Sequence, residues 1–266
     1  MLLLKLGGSV ITDKSSYSTF REDDARRLIG ELKLGLECLQ DTRVILVHGA
    51  GSFGHILARE HSIHRGNRVE GPRHHIVSRI RRDVRKLNNL LEELLLENNF
   101  HPISISPEAI LHKEGEDIFT PIQQGLDGLL SFTNEGLLPV LYGDVVSDDD
   151  IGFSICSGDD VMKVLSHIGK IDGIIFVTNV DGIFRADPDG GRGEMIRAVS
   201  PAKLLKDIYI STEDKVADVT GSMYGKAEKI ADLALQAKVL VINGKMPGRL
   251  ESAIKGEFVI GTLIQN

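Results

Sequence analysis

Features that define several classes of protein are scarce in this chain of 266 residues. It has 2 cysteines, Cys38 and Cys156, which are too few for a disulfide framework and too far apart for a Cys-x-x-Cys metal site. Tryptophan is absent and aromatic residues make up 5%, which disfavours a surface on which nucleic-acid bases stack. Since no apolar run reaches about 18 residues, the sequence predicts no membrane-spanning helix.

The excess of one charge sign is also small. Lysine and arginine number 31 and aspartate and glutamate 38, so the net charge is −7. A mildly acidic protein is a poor candidate for binding nucleic acid or an anionic membrane. The apolar start, Met1 to Leu4, is too short for a signal peptide and has no basic lead-in. We therefore expect a cytoplasmic, soluble protein without a metal site built from its own side chains.

Glycine, in contrast, is abundant: 28 residues, clustered where short apolar runs end. Such runs suit strands buried on both faces, and they occur at residues 2–6, 43–47, 138–142, 173–177 and 238–242. Helical periodicity marks the stretches between them, at residues 22–39, 74–96, 159–168 and 223–237. The alternation predicts an α/β fold with a parallel sheet covered on both faces. We expect residues 144–150 to form a solvated acidic loop.

The first glycine turn follows the first predicted strand. Gly7 and Gly8 lack side chains, so their backbone N–H groups can approach an anion closely. Lys5 lies just before the turn and Ser9 directly after it, and a lysine there can serve as a point charge for phosphate. A tight turn with a solvated lysine explains the same residues equally well.

The second glycine turn, residues 48–55, lies between a predicted strand and a helix. Its glycines, of which Gly51 is the central one, indicate an anion site at a helix N-terminus. The turn lacks the Gly-Lys-Ser/Thr of a Walker A loop, and no acidic residue completes a dinucleotide fingerprint about 20 residues on. His55 is within reach of whatever the turn holds, with a plain surface histidine as the alternative. We assign His61, His64, His74 and His75 to the surface.

A third turn and two acidic motifs complete the candidates. Gly221 opens a helix that carries Lys226 one turn further on, where the ammonium and the helix N-terminus suit a phosphoryl group in transfer. Asp159 is either a helix N-cap or a carboxylate that orients lysines, and Asp181-Gly182 by itself is a turn. Isolated lysines beside glycine turns meet the need of phosphoryl transfer for positive charge.

These motifs, in this order, resemble the amino acid kinase superfamily over essentially the whole chain. They are K-L-G-G-S, H-G-A-G-S-F-G-H, L-Y-G-D, S-G-D-D, T-N-V-D-G-I-F-x-x-D-P and D-V-T-G-S-M-Y-G-K-A. Within the superfamily, the histidine that ends the second motif is similar to that of isopentenyl phosphate kinases, whereas acetylglutamate and UMP kinases have different second loops. One departure is Gly221-Ser222, where many relatives have two glycines.

The resemblance implies a three-layer α/β sandwich around one open, mainly parallel sheet. Residues 1–168 would form a lobe for the phosphate acceptor and residues 169–266 a lobe for ATP. The implied reaction converts isopentenyl phosphate and ATP, with Mg²⁺, to isopentenyl diphosphate and ADP for isoprenoid synthesis by a variant mevalonate route. A homodimer is implied as well. Residues 76–84 and 126–132 are candidate walls for the prenyl tail, with ordinary core positions as the equal alternative.

The resemblance also implies a role for each motif residue. Lys14 stabilises the transition state, Asp159 orients the lysines, and His55 donates a hydrogen bond to the acceptor phosphate. Backbone groups of Ala50 and Gly143 assist His55. The residues implied to bind ATP are Lys5, Gly7, Gly8, Ser9, Gly51, Asp181, Gly182, Gly221 and Lys226.

Two other functions fit the same residues. One is a sister kinase with a phosphonate or another phosphorylated acceptor, since His55 occurs in that branch too. The other is a nucleotide-binding protein of the same fold without turnover, which the joint presence of Lys5, Lys14 and Lys226 disfavours.

Overall fold

A computed structural model describes residues 1–39, 41–68, 73–114, 119–186, 192–208 and 223–266. Its strands are β1 (Leu2–Leu6), β2 (Val44–His48), β3 (Pro102–Ser104), β4 (Leu111–Lys113), β5 (Phe119–Pro121), β6 (Leu138–Tyr142), β7 (Asp144–Asp148), β8 (Gly152–Cys156), β9 (Gly173–Thr178), β10 (Phe184–Ala186), β11 (Arg192–Met195), β12 (Ala198–Val199), β13 (Val239–Asn243) and β14 (Gly261–Ile264). Its α-helices are α1 (Gly8–Ile11), α2 (Glu22–Glu37), α3 (Gly51–Glu60), α4 (His74–Glu97), α5 (Gln123–Asn134), α6 (Gly158–Leu165), α7 (Pro201–Asp207), α8 (Met223–Leu233) and α9 (Arg249–Lys255). Within these ranges, no helix has the length and apolar character that crossing a membrane requires.

Eight strands form one sheet in the order β12-β14-β13-β9-β1-β2-β6-β3. Neighbouring strands run parallel, except that β13 and β14 are antiparallel. In this register Leu6 of β1 lies opposite His48 of β2 and Val177 of β9. The carboxyl ends of these central strands therefore meet at one edge, which is where open parallel sheets bind ligands.

Both faces of this sheet are covered by helices. Successive side chains of a strand point to opposite faces, and in β1 Leu3 packs into one apolar core while Leu4 and Leu6 pack into the other. Helices α5, α6, α7 and α8 contribute to the core of Leu3, and α2, α4 and α9 to the core of Leu4. The expected three-layer α/β sandwich is confirmed.

The main elements agree closely with the sequence analysis. All five predicted strands are present, with ends that differ by at most one residue, and the four predicted helices correspond to α2, α4, α6 and α8. The pairing of β1 with β9 joins residues on both sides of position 168 in one sheet. The division of the chain into an acceptor lobe and an ATP lobe stays a prediction.

The expectation of a solvated loop at residues 144–150 is wrong. Residues Asp144–Asp148 form β7, which pairs with β8 in a separate sheet of four strands. The strand order of this small sheet is β5-β4-β7-β8. Asp144 and Asp148 are only 3% and 4% exposed. Burial is tolerated because Asp148 accepts hydrogen bonds from the backbone N–H groups of Asp150 and Ile151 and pairs with Lys113 at 3.3 Å.

Candidate functional site

The first two glycine turns meet at the carboxyl ends of β1 and β2. A Cβ atom on Gly8 would lie 2.5 Å from the backbone nitrogen of Gly51, and one on Gly49 would lie 2.8 Å from that of Gly8. Both distances are shorter than real Cβ contacts, so the turns pack backbone against backbone only because they are glycine. Helix α1 begins at Gly8 and α3 at Gly51, so two helix N-termini lie side by side here.

A third helix N-terminus, that of α6, lies at the same edge. It begins at Gly158, where a Cβ atom would lie 3.1 Å from Cε of Lys5 and 3.3 Å from the carbonyl oxygen of His48. Gly143, after β6, packs its backbone against Gly158, since a Cβ atom on Gly143 would lie 2.9 Å from the backbone nitrogen of Gly158. Unpaired N–H groups and the positive end of a helix favour anions. Three such ends together make this edge an anion-binding candidate.

Lys5, Asp159 and Lys226 form one charged cluster at this edge. Lys5 is paired with Asp159, and both side chains are nearly buried, with 12% and 11% exposed. Burial by itself would raise the pKa of Asp159, but the charge and hydrogen bond of Lys5, together with the charges of Lys226 and Lys229, lower it below its usual value. Asp159 therefore stays ionised between cations from β1 and α8. The structure thus pairs Lys5 with Asp159 and places Lys226 where its charge acts on the same carboxylate, while the assignment of these residues to phosphate stays a prediction.

Ser9 and Asp181 extend this edge toward β9 and β13. The Ser9 hydroxyl donates to Oδ1 of Asn179 at 3.2 Å. Asp181 pairs with Arg249 at 2.7 Å and accepts from the Asn243 amide at 3.0 Å, and these hydrogen bonds lower the pKa of Asp181. Its carboxylate is thus already held by the protein. Contacts of these residues with a nucleotide stay a prediction.

Two further residues, Gly182 and Gly221, were predicted to bind the nucleotide, and the structure describes only the first of them. Gly182 packs against β14, because a Cβ atom there would lie 2.6 Å from Oγ1 of Thr262. Gly221 lies outside the described residues, so its role in the third glycine turn stays a prediction.

His55 lines a small pocket together with Ala50 and Gly143, the three residues assigned to the acceptor. The cavity measures about 20 Å³, or about 310 Å³ when the adjoining space that opens to solvent is counted. Gly158, whose Cα approaches the Lys5 side chain, lines it as well, so this His55 pocket adjoins the lysine cluster. Apolar wall residues include Ile80 and Val84, within the predicted stretch 76–84. In the other candidate wall, residues 126–132, Leu126 and Leu129 pack into the core beside α6, which agrees with the alternative of ordinary core positions.

Lys14 lies in the exposed turn that follows α1. Its segment is attached to the beginning of α3 through Ser52. The backbone N–H of Ser52 donates to Oγ1 of Thr12 at 3.0 Å, and that of Thr19 donates to the Ser52 hydroxyl at 3.2 Å. The segment is thereby held beside the second glycine turn, while the action of Lys14 on a phosphate stays a prediction.

Sequence reasoning assigned no role to His48, which is fully buried at the end of β2. Its ring stacks on Tyr142 with centroids 5.4 Å apart. Nδ1 lies 3.2 Å from the carbonyl oxygen of Gly49, and Nε2 lies 3.2 Å from Oδ1 of Asn88. Burial lowers the pKa of His48 to about 4 against the opposing effect of these hydrogen bonds. A histidine that ends an apolar strand run was the signal available in the sequence.

The low pKa of His48 predicts a loss of stability in acid. The neutral ring fits the fold, so its contribution is complete above pH 6.5 and is lost as pH falls toward 4. A shift of this size corresponds to about 3 kcal/mol in the free energy of unfolding. Denaturant titrations at pH 7 and pH 4.5 should show that acid destabilises the wild type more than His48→Asn. An equal change in both proteins contradicts this, and His61→Asn, at an exposed position, is the control.

Asp144 is a second buried titratable group beside the His55 pocket. Burial raises the pKa of Asp144 to about 6, although the Val145 N–H and the charge of Arg81 oppose the shift. Its Oδ1 accepts from the Val145 N–H at 2.8 Å, and its Oδ2 lies 3.4 Å from Nε of Arg81. The sequence analysis assigned residues 144–150 to a solvated loop and therefore gave Asp144 no role at the site.

Comparisons with known proteins show what this chain is similar to. A family model described as the amino acid kinase family matches residues 1–243. An isopentenyl phosphate kinase of Thermoplasma acidophilum is 37% identical over 270 residues, which cover 100% of both chains. An isopentenyl phosphate kinase of Methanothermobacter thermautotrophicus is 32% identical and covers 99% of this chain and 98% of its own. A crystal structure of an isopentenyl phosphate kinase substrate complex matches with a TM-score of 0.77 and 30% identity over 100% of both chains.

Proposed function

The chain belongs to the amino acid kinase family, and from that premise we propose that it transfers the terminal phosphoryl group of ATP to isopentenyl phosphate. The products are isopentenyl diphosphate and ADP. One observation carries the proposal: the His55 pocket adjoins the cluster of Lys5, Asp159 and Lys226 across the N-terminus of α6. An acceptor phosphate and a donor phosphate thus have neighbouring places. The full-length similarity to isopentenyl phosphate kinases supports the choice of acceptor.

The reaction needs alignment and charge compensation more than covalent help. An oxygen of the acceptor phosphate attacks the γ-phosphorus of ATP, and the bond from that phosphorus to the β,γ-bridging oxygen breaks, releasing ADP. Lys5 and Lys226 offset negative charge on the transferring group, and Asp159 keeps both ammonium groups in place. The attacking oxygen is already anionic, so no general base is required.

The acceptor phosphate is held, in this proposal, by His55. An imidazole N–H donates to a phosphate oxygen, and backbone groups of Ala50 and Gly143 complete the contact. The pocket beyond His55 is apolar at Ile80 and Val84, which suits a hydrocarbon tail. Lys14, on the segment fixed to α3, stabilises the transition state.

The nucleoside of ATP binds in the lobe of residues 169–266, and its phosphates reach the first glycine turn of the other lobe. Gly8 and Ser9 supply backbone N–H groups and a hydroxyl to the phosphates. Gly7 and Gly51 border them, and the backbone N–H of Gly7, expected to face the anion, instead donates to the carbonyl oxygen of Val177 at 2.8 Å. Asp181, Gly182 and Gly221 lie along the nucleoside. These contacts are proposals that the order of motifs along β1, β9 and α8 supports.

Mg²⁺ is part of the proposed reaction, in which it would neutralise negative charge on the phosphates of ATP. The two carboxylates among the proposed ATP-site residues, Asp159 and Asp181, are already engaged by Lys5 and by Arg249. The ion would therefore be held mainly by phosphate oxygens and water, as Mg²⁺ tolerates. Within the described ranges, one other group of ligating side chains lies together, His112, Glu114 and Asp149 on the small sheet, and we assign it no part in the reaction.

An acceptor panel tests the function directly. With ATP and Mg²⁺, we expect ADP release to depend on isopentenyl phosphate and to fall at least about 100-fold in kcat/KM for a phosphonate acceptor of similar size. Preference for the phosphonate would favour the sister kinase, and ATP binding without acceptor-dependent turnover would favour a nucleotide-binding protein.

We also propose a homodimer, which sedimentation of the purified chain would test.

A further inference from the structure

Two ion pairs join α6 and α8, and they differ in burial. Nζ of Lys229 lies 2.6 Å from Oδ1 of Asp160, with the two side chains 25% and 8% exposed. Nζ of Lys163 lies 2.7 Å from Oδ2 of Asp232, with 49% and 52% exposed. Each helix thus contributes one acid and one base. Exposed pairs contribute little to stability, so the inner pair between Lys229 and Asp160 is the one that can fix the geometry of the two helices.

Asp160 is itself rigidly held. Its Oδ2 accepts from the backbone N–H of Ser157 at 2.9 Å and from the Ser157 hydroxyl at 2.6 Å, in the capping box of α6. Oδ1 remains for Lys229. Burial would lower the pKa of Lys229, but the charge and hydrogen bond of Asp160 raise it above its usual value. Lys229 is therefore a permanent cation anchored to a fixed carboxylate.

The helices that this pair joins carry two residues of the charged cluster, Asp159 and Lys226. Asp159 is the neighbour of Asp160 on α6, and Lys226 precedes Lys229 on α8 by three residues, which places the two lysines on the same side of the helix. The charges of both lysines lower the pKa of Asp159. A shift of α8 along α6 would therefore move Lys226 relative to Lys5 and Asp159.

We propose that Lys229 is a positioning residue, which through Asp160 fixes α8 on α6 so that Lys226 stays beside Asp159 and Lys5 during transfer. The proposal rests on the proposed function. Lys229 touches no reacting atom in this scheme, so its contribution is to alignment. Displacement of a reacting group by about 1 Å can cost about 100-fold in rate.

Lys229→Met tests the proposal, because it keeps an unbranched apolar stem and removes the charge. We expect kcat to fall about 30-fold, while KM for isopentenyl phosphate changes less than about twofold, since neither Lys229 nor Asp160 lines the His55 pocket. Lys163→Met is the matched control on the outer pair, and its kcat should stay within about twofold of the wild type. Lys229→Arg, which retains the cation for Asp160, should recover most of the lost kcat.

Rates are expressed per nucleotide-binding site, titrated with a non-hydrolysable ATP analogue, so that misfolded protein does not count. A kcat for Lys229→Met within about twofold of Lys163→Met would overturn the proposal, as would a loss confined to the number of sites. If Lys229→Met does not fold, Asp160→Asn replaces it and should show the same loss of kcat. A normal kcat in Asp160→Asn would also overturn the proposal. Absence of acceptor-dependent turnover in the wild type would instead reject the proposed function.

Discussion

Lys226→Met is expected to lower kcat for isopentenyl phosphate phosphorylation by about three orders of magnitude. Removal of one preorganised charge or donor from a developing transition-state charge costs about 100- to 1,000-fold or more. Lys226 lies at the beginning of α8, and its charge reaches the buried carboxylate of Asp159. Methionine keeps much of the apolar stem, so the variant reports the charge itself. The measurement is kcat at saturating ATP and acceptor.

The control for this variant is Lys203→Met on α7, an exposed lysine that is outside the charged cluster. Its kcat should equal that of the wild type. A loss below about tenfold in Lys226→Met would mean that the ammonium does not face the transferred group. A rise in KM for ATP at unchanged kcat would assign Lys226 to ground-state binding instead.

His55→Ala is expected to lower kcat/KM for isopentenyl phosphate about 100-fold and to leave KM for ATP within about twofold of the wild type. A hydrogen bond to a charged group contributes about 1.5–3 kcal/mol, which sets this scale. The reason for the split is geometry: His55 lines the pocket of Ala50 and Gly143, whereas the Lys5 and Asp159 pair lies on the other side of Gly158. Initial rates with each substrate varied in turn measure both effects.

His61→Ala is the matched control, since His61 lies at the exposed end of the same helix. It should leave both parameters unchanged. An unchanged kcat/KM for the acceptor in His55→Ala would remove His55 from the acceptor site. A large increase in KM for ATP would place the donor, and not the acceptor, in the His55 pocket.

The central strands were predictable because they are buried on both faces. Runs such as residues 138–142 are apolar throughout, and the parallel register then brings their glycine ends to one edge. The small sheet was not predictable in this way. Its strands β4 and β5 have three residues each, and β7 carries Asp144 and Asp148, whose burial depends on partners that the sequence order does not reveal.

The site shows the same division. Strand ends and glycine spacing suffice to bring Gly8 near Gly51, and the motif resemblance assigns Lys5, Asp159 and Lys226 before any contact is known. The Lys229 and Asp160 pair was missed, because a lysine three residues after Lys226 is indistinguishable from a solvated one until α6 is packed against α8. His48 was missed for a related reason, since its oxygen partners come from its own turn and from α4.

A crystal structure with a non-hydrolysable ATP analogue and isopentenyl phosphate tests most directly whether two phosphates meet at this edge of the sheet. We expect the acceptor phosphate within hydrogen-bond distance of His55 and the terminal phosphate of the analogue between Lys5 and Lys226. An acceptor oxygen should lie about 3–3.5 Å from the terminal phosphorus. Phosphates bound away from the turn of Gly7 and Gly8, or an acceptor seated outside the His55 pocket, would contradict the proposed reaction geometry.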